Sequence, residues 1–199
     1  MTDLQAVPTD KHERARFIPG QPDMWAFVLF ETLVFTGYFG FYLFFRARND
    51  DLFVHAQAHL DLCVGVFNTL VLLLSSWSVA RCVQSSRAGE YRAALRDVFL
   101  TAAFAAVFLF FKVVEWVRLV NTGNGLDSND FFTYYFFLTG IHFVHLLIGF
   151  VVLGVIVYQL QSAATRPRES QEIVETCATY WHTVDFLWVL IFALLYVVR

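Results

Sequence analysis

Ionisable side chains interrupt the long apolar runs of this chain, among them Glu31, Glu115, His142, His145, His182 and Asp185. Each such group is costly in hydrocarbon, so each marks either a functional site or a polar anchor. Their spacing groups them. His182 and Asp185 lie one helical turn apart in YWHTVDFLW, His142 and His145 stand at i,i+3 in TGIHFVHLLIG, and Glu115 falls between Lys112 and Arg118 in a second i,i+3 series.

Several chemistries fit these residues. A lone acid such as Glu31 can carry a proton, donate a hydrogen bond to a neighbouring helix, or contact a lipid headgroup or a chain of water. Two histidines on one face offer half of a metal site, but carboxylate-bridged bundle sites use Glu-x-x-His pairs, which this chain lacks. Haem ligation would need a histidine on a facing helix, which only His182 supplies. Hydrogen-bonded core histidines are the simpler reading, and no catalytic, cofactor-binding or metal-ligating residue is assigned. His182 and Asp185 can pair directly and fix the start of the last helix. Lys112, Glu115 and Arg118 lie late in their span, where long side chains reach polar surroundings, so a partly solvated ladder is expected there.

The elements that must position these groups are membrane helices. Of 199 residues, 58% are hydrophobic and 23 are Phe, and the mean hydropathy of +0.56 excludes an ordinary soluble domain. A net charge of -3 with 16% charged residues supplies no basic surface for nucleic acid. Cys63, Cys82 and Cys177 form no CxxC pair and read as small buried hydrophobes.

The pattern predicts an all-α integral membrane protein with five spans, at about Met24–Phe45, Asp61–Cys82, Asp97–Val120, Phe131–Gln161 and Tyr180–Val198. Residues 1–23 read as a cytoplasmic tail ending in PGQP, with Asp23 placed to cap the first helix, and residues 24–199 as the five-helix domain. Residues 162–179 read as a charged linker, with a short surface helix as the alternative. Lys11, Arg14, Arg16, Arg81, Arg87, Arg92, Arg96, Arg166 and Arg168 share one side, against Arg46, Arg48, Arg118 and Arg199 on the other. That asymmetry predicts a cytoplasmic N-terminus and a periplasmic C-terminus. Glu31 and Asp185 then fall at one depth in the inner half, about 8 to 10 Å from where their spans begin.

Taken in order, WAFVLFETLVFTGYFGFY, FNTLVLLLSS, KVVEW, TGIHFVHLLIG and YWHTVDFLWVLIFALLY resemble subunit III of the haem-copper oxidases, from Trp25 onward. The length resembles the short form of that family, a five-helix bundle without two additional N-terminal helices. This form includes subunit III of bacterial cytochrome c and quinol oxidases and the NorE proteins associated with nitric oxide reductase, to which the PGQPDMWAF segment is similar.

The resemblance implies an accessory subunit of the bacterial cell membrane, without haem or metal of its own. Haem and copper, or non-haem iron, belong to the partner, the catalytic subunit I of an oxidase or a nitric oxide reductase. It also implies that Glu31 is the carbodiimide-reactive acid, that phospholipid binds nearby, and that the subunit sustains proton uptake and protects the enzyme during turnover. Glu31, His142, His145, Glu115, His182 and Asp185 then become cleft, lipid-linked or packing residues. A different class of function, an independent carrier or channel using Glu31, also fits the residues.

Overall fold

The computed structural model describes residues 22–162 and 167–198. Basic residues Lys11, Arg14 and Arg16, most of the PGQP segment, Arg166 and Arg199 lie outside it. Every long element among the described residues is helical: α1 (Pro22–Arg48), α2 (Asp50–Gln57), α3 (Leu62–Arg87), α4 (Tyr91–Asn121), α5 (Asp130–Ser162) and α6 (Pro167–Phe192). A π-helical turn, Ala193–Val197, completes α6. Five of these helices are long and apolar enough to cross a membrane, which makes this a multi-pass membrane protein.

The helices run past the apolar segments that announce them. α3 extends to Arg87 and α4 starts at Tyr91, because Arg81 and Arg96 reach the Asp97 carboxylate at 3.6 and 3.2 Å and stabilise the polar ends. α6 begins at Pro167 rather than near Tyr180, so residues 167–179 are helix and not linker. Its extra turns are held by Arg87 donating to Glu175 at 2.9 Å and Ser86 donating to Gln171 at 2.7 Å. YWHTVDFLW is therefore mid-helix, beginning about three and a half turns from the start of α6.

Local chemistry fixes the ends. Asp61 accepts from the Cys63 amide at 3.0 Å and caps α3. Asp23 lies within the first turn of α1, one residue after Pro22, which takes the first helical position favoured by proline. After α3 and α4 the chain turns at Gly89 (φ 77°) and Gly123 (φ 84°), in left-handed conformations open to glycine. In each case the following amide returns to the helix, Glu90 to Ser85 O and Asn124 to Leu119 O, both at 2.9 Å.

α3, α4, α5 and α6 close a four-helix ring: α3 packs on α4 and α6, and α5 on α4 and α6. Two glycines permit close approach. A Cβ on Gly65 would lie 2.8 Å from the Tyr196 ring, and one on Gly149 would lie 2.8 Å from the Trp181 ring. α1 lies outside the ring against α5 and α6, and much of its length is exposed, with Leu29, Phe30, Leu33 and Phe41 uncovered. α2 sits over the start of α5, and its Gln57 donates to the carbonyls of Leu195 and Val198 at 3.0 and 2.9 Å. Arg46 joins the same clamp, donating to Val198 O at 2.6 Å.

Candidate functional site: two intramembrane polar centres

The six residues singled out by their depth separate into distinct environments. The first is a contact between α1 and α5. Helix α1 packs on α5 through aromatic pairs, with Tyr38 against Phe137 at 5.1 Å and Phe45 against Tyr134 at 5.5 Å. This antiparallel register brings Glu31 Oε2 to 3.4 Å from His145 Nε2. Both side chains stay partly exposed, Glu31 by 14% and His145 by 16%, so the pair lies at the rim of the protein and not in its core.

The other ring nitrogen of His145 is engaged as well. Nδ1 lies 2.9 Å from Ile141 O. A carbonyl can only accept, so Nδ1 carries a proton. Nε2 therefore meets Glu31 either as the acceptor of an acid proton or as a cationic donor to a carboxylate. Tyr180 donates to His145 O at 3.0 Å and its ring lies tilted against Phe27 at 5.9 Å, tying α1, α5 and α6 at this level. Glu31 lies nine residues into α1 and Asp185 eighteen into α6, so the two are not equally far from the starts of their helices.

The second centre lies within the ring. Lys112 is 1% exposed and spends all three ammonium protons on protein groups: Glu115 Oε2 at 2.9 Å, Tyr135 Oη at 3.0 Å and Tyr196 Oη at 2.8 Å. Tyr196 in turn donates to Glu115 Oε1 at 2.7 Å. The ammonium also faces the Tyr135 and Trp188 rings at 4.7 and 4.9 Å, favourable positions for a cation in a dry interior. This corrects the expected solvated ladder. Lys112 turns inward because two tyrosine hydroxyls and a carboxylate supply what water would, and only Arg118 remains exposed. The π turn brings Tyr196 here, and the clamp from Arg46 and Gln57 holds that turn.

The remaining residues divide similarly. His142 and His145 share a helix but not a role: His142 is 1% exposed, with its ring against Phe108 and Trp188 at 5.8 and 5.2 Å. His182 and Asp185 do not form the direct pair expected of them. His182 is exposed and its Nδ1 lies 2.7 Å from Ser76 Oγ, while Asp185 turns into the bundle at 4% exposure. Among the described residues no group of three or more His, Cys, Asp or Glu could hold a metal ion. Cys82 is buried as expected, but Cys63 is exposed at the start of α3.

Tyr135, Tyr196, Gln57 and Arg46 were not among the candidates. The one signal for them was Lys112 itself, set in FLFFKVVEW more than two turns from the end of α4, where a buried cation demands partners.

At the far end of the α1–α5 seam from Glu31 and His145, a groove of about 470 Å³ is lined by Phe45, Leu126, Asp130, Thr133, Tyr134 and Phe137. Its walls are mostly aromatic, with Asp130 and the Tyr134 and Thr133 hydroxyls as the polar groups.

The model of one family, cytochrome c oxidase subunit III, matches residues 20–198. The chain is 29% identical over 171 residues to a cytochrome c oxidase subunit 3 of Thermostichus vulcanus, covering 86% of this chain and 83% of that protein. It is 26% identical to a quinol oxidase subunit 3 of Bacillus subtilis, with the same coverage of both. In Aeropyrum pernix, 28% identity covers 88% of this chain but 22% of a much longer haem-copper oxidase subunit I+III.

The chain belongs to the cytochrome c oxidase subunit III family, and with it to the subunits III of haem-copper oxidases.

Proposed function

We propose that the chain is a non-redox accessory subunit of a respiratory haem-copper oxidase, packed on the catalytic subunit I in a bacterial cell membrane. The observation that carries this reading is the family match over residues 20–198, which takes in every described helix. The Aeropyrum pernix relative supports the partner, because its name joins subunits I and III in one protein. Haem and metal then belong to the partner.

The same reading gives the intramembrane groups their work. Glu31 and His145 form an acid–base pair at the membrane-facing rim, the arrangement that would support proton uptake by a neighbouring subunit. The aromatic groove between α1 and α5 suits a phospholipid acyl chain, with its polar lining towards the headgroup. Orientation follows the basic residues: Arg81, Arg87, Arg92 and Arg96 gather at the end where α1 and α6 begin, which we place in the cytoplasm.

Deletion of the chain from its native complex tests this. The remaining enzyme should keep its haem and its initial rate but lose activity progressively during turnover. Wild-type chain should restore durable activity, and Glu31→Leu should restore it less well. An enzyme that stays active without the chain would overturn the proposal. So would the purified chain alone conducting protons in liposomes and losing that activity in Glu31→Gln, the behaviour of an independent carrier. Assay of the complex with oxygen and with nitric oxide separates an oxidase subunit from a NorE-type one.

A further inference from the structure

Inside the four-helix ring, three polar side chains contributed by three helices make no hydrogen bond to the protein. They are Asn68 on α3, His142 on α5 and Asp185 on α6, at 0, 1 and 4% exposure. Both amide atoms of Asn68, both ring nitrogens of His142 and both carboxyl oxygens of Asp185 are without a partner. Buried polar atoms are rarely left so, because each has given up its bonds to water. Six such atoms on three helices of one ring call for a cause.

They share Trp188 as a neighbour. The His142 ring lies 5.2 Å from it, Asn68 directly precedes Thr69, whose hydroxyl accepts from Trp188 Nε1 at 3.1 Å, and Asp185 is one turn earlier on α6. The surrounding donors are already committed. Thr69 donates to Gly65 O, Ser75 to Thr101 O, Trp181 to Ser75, and Lys112 has given its three protons to Glu115, Tyr135 and Tyr196. Ser76 is the exception beside Asp185: its Oγ lies 2.7 Å from His182 Nδ1, with either atom as the donor.

We infer that Asn68, His142 and Asp185 bind a small cluster of ordered water in the bundle core, around Trp188 and next to the Lys112 centre. The groups suit that ligand. Water both donates and accepts, as the amide, the imidazole and the carboxyl require between them, and bound water commonly makes about three hydrogen bonds to buried groups of this kind. Direct pairing among the three residues is the competing arrangement, and the rotamers they adopt do not achieve it.

Radiolytic labelling of the intact complex tests the assignment, because X-rays convert bound water to hydroxyl radicals in place. After normalising for intrinsic reactivity, Trp188 and His142 should be modified severalfold faster than Phe131 and Phe132, which are equally buried. Replacing the amide by Asn68→Leu should bring the Trp188 rate down towards theirs. If the wild-type chain labels Trp188 and His142 no faster than those phenylalanines, the core is dry and the inference fails; this comparison holds even where the variant does not assemble. Unchanged Trp188 labelling in an assembled Asn68→Leu complex would also contradict it.

Discussion

Two carboxylates of this chain face basic partners inside the membrane, and they are built oppositely. Glu115 meets Lys112 within the closed ring, where every proton of the ammonium is assigned and α4, α5 and the π turn converge. Glu31 meets His145 across a thin aromatic seam, partly exposed, through one contact. The first arrangement cannot change its protonation without leaving a buried charge, so it serves as structure. The second is a single contact at the partly exposed rim, held by no further side chain that the structure places on either atom among the described residues.

The contrast is broken most severely at the core. Lys112→Met strands Glu115 and the Tyr196 hydroxyl, and removing one partner of a buried ion pair costs about 3–5 kcal/mol. The yield of folded protein should collapse, measured as monodisperse protein in mild detergent. Lys112→Met combined with Glu115→Leu should recover much of it, since no charge is then left alone. Recovery by neither the double variant nor growth at lower temperature would show that the network does more than hold the bundle.

Packing between α5 and α6 comes next. Gly149→Val would drive side-chain atoms into the Trp181 ring, 2.8 Å from where the first added carbon would sit. Overpacking of this kind costs about 1–3 kcal/mol, and the midpoint of detergent-induced unfolding should fall accordingly. The seam at α1 predicts the smallest change. Glu31→Leu deletes one interhelical contact, worth about 0.6 kcal/mol for polar contacts within membranes. Its unfolding midpoint should match wild type closely, while durable turnover of the complex falls. A variant as unstable as Lys112→Met would make Glu31 a structural residue as well.

Much of this was legible in the sequence, and the limits have physical causes. The five apolar runs define the five spans because only helices of that length satisfy the backbone in hydrocarbon. Asp61 marks the start of its span, where it caps α3. The start of α6 was not legible, since its first turns are stabilised by Arg87 and Ser86, far away in the chain. Nor was the fate of Lys112, whose inward turn depends on Tyr196 being carried to it by a π turn that Arg46 and Gln57 hold from another helix. The partner of Glu31 was beyond reach as well, because the choice among histidines depends on which helices are neighbours. The divergence of His142 and His145 shows that a shared helical face does not imply a shared environment.

Purification of the tagged chain from its native membranes in mild detergent, followed by identification of what comes with it, tests the central claim most directly. A large haem-bearing subunit should co-purify in fixed proportion, with all visible absorption assigned to that subunit. Recovery of the chain without such a partner, while the oxidase of the same membranes is intact elsewhere, would contradict the account.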